Sequence, residues 1–527
     1  MTPKRLSALT IALLVLATAL TPVLAQRAEY VFIEAAPGKM AAVGQAARAA
    51  GAHVRYEFAD LNALAVTMPS AAVDRMRRNP NVVSIEADPE RYPAAGVTAA
   101  AQPTTEQVIP WGIQAVQAPM LWAEGYLGEG VTVCVIDTGL YAEHEDLAGL
   151  PSIGGFSQVD DEWDFDGYGH GTHVVGTIGA VDNDLGVIGV SPGKVNIFMV
   201  KIFDNAGEWV TKAHASDLIA AARTCADNGA KIISMSLSGT NSSGKERMAF
   251  EALYAQGILS VGAASNDGID EYHYPASYDS VISVAAIDES LTFADFSQFN
   301  DQVELAAPGV GVLSTLSYLA HAGITVDGTF YPGVHMDYAP YTTAGGVSGA
   351  LVDGGRCLAP GAWTGTVVLC ERGDNSFAEK VASVMAGGGV AAVVYNNVAG
   401  DLLGTMGVEG DYIPAIGITQ EAGLYLVANE LGSTGTVEDY EPVEGSGYAA
   451  WDGTSMATPH VSGVAALLWS ANPDLTNVQI REAMAMTAMD LGDPGRDVHY
   501  GYGLVQAYEA LEYLGVTPGK GPQGPKP

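Results

Sequence analysis

The sequence predicts an α/β protein with a doubly wound, mainly parallel sheet, preceded by a small α+β domain and interrupted by a β-rich insertion. From Trp111 onward, long apolar runs alternate with helical patterns, which is typical of strands buried on both faces. The alternation stops after residue 316 and resumes at Tyr448, and a structureless loop of that length would be unusual. The apolar runs are VTVCVID, NIFMVKIF, AKIISMSL, GILSVGAAS and SVISVAAI.

Residues 28–92 predict a small independent domain. Strand and helix patterns follow one another there in the order β-α-β-β-α-β, which is a split βαβ arrangement. Residues 93–106 are small, polar and turn-prone, so we expect an exposed linker between this domain and the main one.

The N-terminus has the features of an export signal. Lys4 and Arg5 precede an apolar run that ends in small residues near Ala25, which predicts a signal peptide over residues 1–25. The protein is then secreted and extracellular, although a retained membrane anchor is an alternative. Residues 513–527 are rich in proline and glycine and predict a disordered tail.

The charge of the 527-residue chain is strongly acidic and unevenly distributed. The net charge is −36; the residues up to Tyr92 carry +2 in total, so residues 93–527 carry −38. Such a body is a poor partner for nucleic acid or for anionic lipid. It would suit cation binding or a salty medium, and a merely solvated acidic surface is the alternative. We therefore expect no nucleic-acid partner and, once the signal is removed, no membrane association. We also expect a monomer.

The four cysteines of an exported chain permit two disulfides. Cys357 and Cys370 flank one strand-turn unit and are expected to pair, which leaves Cys134 with Cys225. Two buried free thiols are the alternative for the second pair. No C-x-x-C motif is present, which disfavours a thiolate metal site.

Ser455 lies among small residues in GTSMATPHVSGVAALL, where an apolar helix begins. One interpretation is structural, since the side chain of Thr454 or Ser455 could cap the first turn of the helix. The other is catalytic, because the positive end of a helix favours a nucleophile.

Three other polar residues could complete a catalytic site. Asp137 ends a buried strand in VCVIDTG, where an ordinary turn or half of an aspartic-protease pair are alternatives. His170 and His173 lie one helical turn apart and could bind a metal, or His170 could act as a general base. Asn266 could donate a hydrogen bond to an oxyanion, or simply form a turn.

In chain order, four stretches closely resemble the subtilisin-like serine proteases (subtilases): DTG, HGTHVVGT, the strand-end asparagine of SVGAASNDG and GTSMATPHVSG. The resemblance covers roughly residues 107–316 and 448–512, the predicted catalytic domain. It implies a secreted serine endopeptidase that hydrolyses protein or peptide substrates through an acyl-enzyme. A binding protein built on a catalytically silent protease scaffold is the alternative from another class.

The resemblance assigns a role to each candidate residue. Ser455 would be the nucleophile, His170 the general base and Asp137 the group that orients the imidazole. Asn266 and the backbone N–H of Ser455 would form the oxyanion hole. His173 and His460 would be structural.

Two further stretches resemble substrate-binding segments of the family. One is an edge segment that pairs with an extended substrate, and Ser238 stands there in place of the usual glycine. The other is the floor of the main specificity pocket, where Ser265 departs from a frequent glycine. The expected substrate-binding residues are Leu237, Ser238, Gly239, Ala263, Ala264 and Ser265.

VDNDLGVIGV resembles the calcium loop of the family, in which alternate residues present oxygen atoms to one hard cation. A plain acidic turn is the alternative. The expected ligands of a structural calcium ion are Gln107, Asp146, Val181, Asn183, Leu185 and Val187.

The resemblance also extends beyond the catalytic domain. Residues 28–92 resemble an inhibitory pro-segment, which would make the chain a zymogen that is cut within roughly residues 90–106. The resemblance implies that the end of this segment, IEADPERYPAAG, lies in the active-site cleft as a product-like strand and that the pro-segment inhibits the enzyme. A permanent N-terminal domain is the alternative. The insertion, residues 317–447, resembles a protease-associated (PA) domain with a core at about 340–435.

Overall fold

The computed structural model describes residues 28–94, 98–101, 106–204, 212–316, 321–343, 345–398, 400, 402, 404–440 and 447–516. The predicted signal peptide and most of the predicted tail lie outside the described residues. Where the tail is described, Tyr513 still belongs to a helix. The backbone contacts divide the chain into two compact units, of which the first contains residues 28–89 and Ser243–Lys245.

The first unit has the element order predicted for it. Its four strands form an antiparallel sheet in the order β2-β3-β1-β4. Apolar side chains of both helices, among them Val43 and Val73, are buried in one cluster with Ile33 and Leu64 of the strands. The elements are β1 (Ala28–Ala35), α1 (Met40–Ala49), β2 (His53–Phe58), β3 (Ala63–Pro69), α2 (Ser70–Met76) and β4 (Val82–Ala87).

The elements that follow include the strands of the main sheet. Up to the insertion they are β5 (Glu90–Pro93), β6 (Thr98–Ala101), α3 (Trp111–Ala115), α4 (Ala118–Ala123), β7 (Thr132–Asp137), β8 (Ile153–Ser157), α5 (His170–Gly179), β9 (Asn196–Lys201), β10 (Ala213–His214), α6 (Ala215–Asp227), β11 (Ile232–Met235), β12 (Leu237–Ser238), α7 (Gly244–Ala255), β13 (Leu259–Ala263), β14 (Val281–Ile287), β15 (Val303–Pro308) and β16 (Val312–Thr315).

Seven parallel strands form the main sheet, in the order β15-β14-β13-β11-β7-β9-β8. The side chains of β7 alternate between two cores, with Val133 and Val135 in one and Cys134 and Ile136 in the other. The predicted doubly wound parallel sheet is therefore confirmed, and all five apolar runs form strands of it. Sites in such sheets lie beyond the carboxyl ends of the strands.

The insertion is rich in β-strands, as predicted. Its eight strands form one sheet in the order β17-β24-β19-β20-β21-β23-β18-β22, and β17 also pairs with β18, so seven of them close on themselves. The elements are β17 (His321–Val326), β18 (Thr329–Asp337), β19 (Val347–Asp353), β20 (Thr366–Glu371), α8 (Phe377–Ala386), β21 (Ala391–Tyr395), β22 (Gly404–Thr405), β23 (Ala415–Ile418), α9 (Gln420–Asn429) and β24 (Thr434–Tyr440).

After the insertion the chain returns to the main domain. The elements there are β25 (Tyr448–Trp451), α10 (Thr454–Ala471), α11 (Asn477–Met486) and α12 (Ala507–Tyr513). Helix α10 packs on the main sheet and against α5. Disulfides join Cys134 to Cys225 and Cys357 to Cys370, the pairs that the sequence analysis expected.

The predicted linker differs from the expectation. Strand β5 runs past residue 92 and pairs with β10 and β12, while β6 pairs with β25. Small, polar side chains did not exclude pairing, because the backbone supplies the hydrogen bonds of a strand. Residues 95–97 and 102–105 of the linker lie outside the described residues. In the part of the chain that is described, no helix has the length and apolarity needed to cross a bilayer.

Candidate active site

Asp137 and His170 meet at the carboxyl end of the main sheet. Asp137 ends β7 and His170 begins α5, and the Nδ1 atom of the histidine lies 2.7 Å from Oδ1 of the aspartate. Both side chains are buried. Because the carboxylate accepts from Nδ1, the other ring nitrogen of His170 is the one that can exchange a proton with a reacting group.

A buried carboxylate that the sequence analysis missed holds the start of α5. Asp166 accepts hydrogen bonds from the Gly169 N–H (2.8 Å), the Thr138 hydroxyl (2.9 Å), and the Thr172 N–H (2.9 Å) and hydroxyl (2.7 Å). Burial raises the pKa of Asp166, and these donors oppose that shift. An acidic residue just before a helix was the available signal.

Ser455 lies in the first turn of α10 and does not cap that helix. Gly453 occupies the N-cap position with φ of 152°, a backbone conformation that side chains disfavour, and it has no side chain with which to cap the helix. The capping interpretation is therefore wrong, because both candidate side chains bond elsewhere. Ser455 Oγ contacts the carbonyl oxygen of Ala94 and lies 3.2 Å from the carbonyl oxygen of Ser236.

The backbone of Ser455 is fixed from outside its helix. Pro459 lacks the N–H that would bond the Ser455 carbonyl, four residues earlier in α10. The hydroxyl of Ser236 donates to that carbonyl instead, over 2.8 Å. The nucleophile candidate is thus anchored to the end of β11, another strand of the main sheet.

Asn266 is oriented so that its amide N–H points at the same carbonyl oxygen as Ser455. Its Oδ1 atom accepts from the backbone N–H (2.8 Å) and the hydroxyl (2.9 Å) of Thr454. Its Nδ2 atom donates to the carbonyl oxygen of Ala94 over 2.8 Å. Thr454, which the sequence analysis considered only as a cap, therefore fixes the donor of the candidate oxyanion hole.

The segment 90–94 crosses this site as a strand, and we call it the cleft strand. Leu237 and Ser238 pair with it in antiparallel register on one side, and β10 pairs with it on the other. The Ala94 N–H donates to the Ser236 carbonyl over 3.0 Å. Gly239, also expected to bind substrate, forms a bridge with Tyr274 and lies against the cleft strand, since a Cβ atom at this position would collide with the Glu90 carbonyl.

Ser265 connects the two expected substrate-binding segments. Its hydroxyl lies 3.0 Å from that of Ser238, and both side chains are buried. Its φ angle of 95° is one that favours glycine. Ala263 and Ala264 are buried beside it in sequence, and the Ala264 N–H bonds the neighbouring strand β14.

His173 and His460 are buried, neutral side chains. The ring of His173 stacks on Trp451 with centroids 4.9 Å apart, and burial lowers its pKa to about 3. His460 bonds the Met456 carbonyl over 2.8 Å, and burial lowers its pKa to about 4. The metal interpretation of His170 and His173 gains no support, since no group of three metal-ligating side chains occurs among the residues described.

Residues 128–329 and 409–503, more than half of the chain, match the subtilase family. The chain belongs to the subtilase family. Residues 341–426 match the PA domain, which agrees with the predicted core of the insertion.

Relatives of this subtilase include alkaline elastase YaB of Bacillus sp. (strain YaB), 29% identical, with 86% of this chain and 81% of the relative aligned. Subtilisin DY of Bacillus licheniformis is 39% identical over 44% of this chain and 82% of its own length. A crystal structure of the psychrophilic subtilisin-like protease Apa1 from Pseudoalteromonas sp. AS-11 superposes with a TM-score of 0.52 and 36% identity, covering 79% of this chain and all of that one. The subtilase is therefore a serine-type endopeptidase, and the aspartic-protease alternative is excluded.

The six expected calcium ligands of this subtilase lie together. Gln107 Nε2 is 2.9 Å from the Val181 carbonyl oxygen and 3.3 Å from Asn183 Oδ1. Asp146 accepts from Asn183 Nδ2 (2.9 Å) and from the Val187 N–H (2.8 Å). Leu185 donates its N–H to Asn183 Oδ1 over 3.0 Å.

This set of donors fits a hard cation. The Val181 carbonyl oxygen and Asn183 Oδ1 converge on Gln107 Nε2, while Gln107 Oε1 accepts from the Asp184 N–H over 3.1 Å. A cation bound by the two converging oxygens and by Gln107 Oε1 would require the amide to turn and give up the bond from Asp184. Asp146 is fully buried, and burial raises its pKa to about 6. A cation beside this carboxylate would favour its charged form.

Proposed function

We propose that this subtilase is a secreted endopeptidase, made as a zymogen that cuts its own chain between Ala94 and Ala95. One observation carries the proposal. The carbonyl oxygen of Ala94 contacts the Ser455 hydroxyl and accepts from Asn266, while the residues before it pair with the substrate-binding edge. A peptide bond about to be hydrolysed needs this arrangement of nucleophile and oxyanion donor.

In the first half of the reaction, Ser455 Oγ attacks the carbonyl carbon that precedes the scissile bond. Its proton passes to His170 Nε2, and Asp137 stabilises the resulting imidazolium through the 2.7 Å contact to Nδ1. The carbonyl oxygen becomes an oxyanion held by Asn266 and the Ser455 backbone N–H. The C–N bond then breaks, and the histidine proton goes to the leaving amine.

In the second half, water attacks the acyl-enzyme and His170 takes its proton. Collapse of the second tetrahedral intermediate breaks the ester bond, returns that proton to Ser455 Oγ and leaves a carboxylic acid on the substrate, which loses its remaining proton to solvent and becomes a carboxylate. In self-cleavage this carboxylate belongs to Ala94. The strand pairing of the cleft strand lies on the N-terminal side of the bond that is cut. The cut does not break these hydrogen bonds, which supports a pro-segment that remains bound as an inhibitor and competes with substrate.

Secretion and calcium complete the proposal. The signal-like residues 1–25 support export. Calcium would be held by the side chains of Gln107, Asp146 and Asn183 and by the backbone oxygens of Val181, Leu185 and Val187. It would supply positive charge to a buried carboxylate and stabilise the loop, and it would take no part in bond cleavage.

The test is N-terminal sequencing combined with labelling by a serine-directed phosphonate. The wild-type chain should begin at Ala95 after expression and should be labelled on Ser455. The Ser455→Ala chain should keep its pro-segment, lose several orders of magnitude in turnover and remain unlabelled. Ser470→Ala is the matched control, because Ser470 lies on the same helix and its hydroxyl bonds the Leu467 carbonyl and the Gly128 N–H, neither of which belongs to the candidate active site. This variant should be processed and labelled as the wild type is.

Two outcomes would contradict the proposal. Cutting of the Ser455→Ala chain at the same bond, in a host without other active proteases, would mean that the chain does not process itself. An unprocessed, unlabelled wild-type chain would instead support the silent-scaffold alternative.

A further inference from the structure

We propose that Glu246 makes this subtilase selective for arginine at P4, the fourth residue on the N-terminal side of the bond that is cut. The inference rests on the proposed function, because it takes the cleft strand to occupy the site as a substrate does. With Ala94 at P1, the residue at P4 is Arg91.

Arg91 and Glu246 form a fully buried ion pair. Both side chains have 0% exposure. Arg91 Nε donates to Glu246 Oε1 over 3.0 Å, and Nη2 contacts Oε2, so the guanidinium engages both carboxylate oxygens. Tyr278 also donates to Oε2, over 2.8 Å, which fixes the carboxylate in position.

The surrounding backbone fits this side chain. Arg91 lies opposite Ala213 of β10 in the strand pairing. On the other side, a Cβ atom at Gly239 would collide with the Glu90 carbonyl and would lie 2.8 Å from Arg91 Nη1. The backbone at P4 is therefore held between Ala213 of β10 on one side and Gly239 on the other. Held in this way, the Arg91 side chain is directed at Glu246.

The burial and the two-bond geometry of this ion pair should favour arginine over other side chains at P4. Leaving one member of a buried ion pair without its partner costs far more than losing an exposed pair. A planar guanidinium matches a carboxylate through two parallel bonds, whereas the ammonium of lysine is a point charge and an apolar side chain provides no donor. We therefore expect the order arginine, then lysine, then neutral residues at P4.

The neighbouring position provides a contrast. Glu90, at P5, pairs with Lys212, but both side chains are more than 40% exposed. Exposed pairs contribute little because water screens them. The side chain at P5 should therefore hardly affect cleavage.

The experiment compares chromogenic peptides of the form Glu-X-Tyr-Pro-Ala, in which X is arginine, lysine, citrulline or leucine. Citrulline is the decisive comparison because it keeps the shape of arginine without the charge. For processed wild-type enzyme, kcat/KM for arginine should exceed that for citrulline about thirtyfold or more. In Glu246→Gln this ratio should fall towards one, whereas Glu251→Gln, an exposed change on the same helix, should keep it.

Each outcome decides something. If the wild-type enzyme cleaves the arginine and citrulline peptides equally well, the inference is wrong and the proposed function stands; this comparison needs no variant. If the preference persists in Glu246→Gln, another group provides it and the assignment is wrong. If the wild-type enzyme cleaves none of the peptides and resists the phosphonate, the proposed function falls with the inference.

Discussion

The hydroxyls of Ser238 and Ser265 lie 3.0 Å apart and join the strand-pairing segment to the expected floor of the main specificity pocket. Ser265 adopts a φ of 95°, and non-glycine residues in such conformations cost roughly 1–3 kcal/mol. The contact between the two serines fills space that two glycines would leave empty. A pocket narrowed by these two serines suits a small side chain at P1, such as that of Ala94, which is 5% exposed.

We expect Ser238→Gly combined with Ser265→Gly to widen the pocket. The ratio of kcat/KM for peptides with phenylalanine and with alanine at P1 should rise by about tenfold or more, because pocket contacts of this size typically discriminate by ~10–200-fold. Ser242→Gly, an exposed change in the same stretch of chain, is the control. An unchanged ratio in the double variant would show that the two hydroxyls do not limit the pocket.

At the scale of elements, the site depends on how helices and loops are fixed at their ends. Asp166 holds the start of α5, and Ser236 bonds the carbonyl that Pro459 leaves without a helical donor. Gln107 fixes the expected calcium loop in a comparable way, because its Nε2 atom donates to the Val181 carbonyl oxygen and to Asn183 Oδ1. These oxygens are the ones that calcium would bind.

Calcium should stabilise the folded chain by mass action, by about 2.7 kcal/mol when its concentration is a hundred times the Kd. Chelation should lower the melting temperature of the phosphonylated enzyme, and added calcium should restore it. Asn183→Ala should blunt this response, whereas Asp182→Asn, an exposed change beside it, should not. If Asn183→Ala responds to calcium as the wild type does, the expected ligand set is wrong.

At the scale of the whole molecule, buried histidines make stability depend on pH. His173 and His460 stay neutral in the folded core, with pKa values lowered by burial to about 3 and about 4. In the unfolded chain they bind protons near their ordinary pKa of about 6.5. The unfolded state therefore binds more protons below pH ~6.5, so these residues favour unfolding as the pH falls from there towards about 4.

For His460 alone, this effect should lower the free energy of unfolding by about 2 kcal/mol between pH 7.5 and pH 5. Denaturant unfolding of the Ser455→Ala chain, followed by tryptophan fluorescence, measures it without self-digestion. His460→Asn removes the titration and can still donate to Met456, so its stability should fall less over this range. An identical pH slope in both chains would mean that His460 does not titrate on unfolding.

Much of this protein could be predicted from local patterns. Apolar periodicity is set by neighbouring residues, and it predicted the parallel sheet and the β-rich insertion, which the structure confirms. The motif around Ser455 indicated the family, which the comparisons confirm. Both cysteine pairs also follow from their places on predicted strands and helices.

The tertiary structure alone decided which residues meet in the cleft. Arg91 and Glu246 are 155 positions apart, and Ala94 and Ser455 are 361 apart. No periodicity links positions so distant, because their contact depends on the path of the whole chain and on backbone pairing that is nearly independent of side chains. The sequence by itself determined the fold class and the reactive groups, and through the family resemblance it indicated which segment would lie in the cleft. The backbone pairing of that segment and the buried charge that Arg91 meets at Glu246 became visible only in the folded chain.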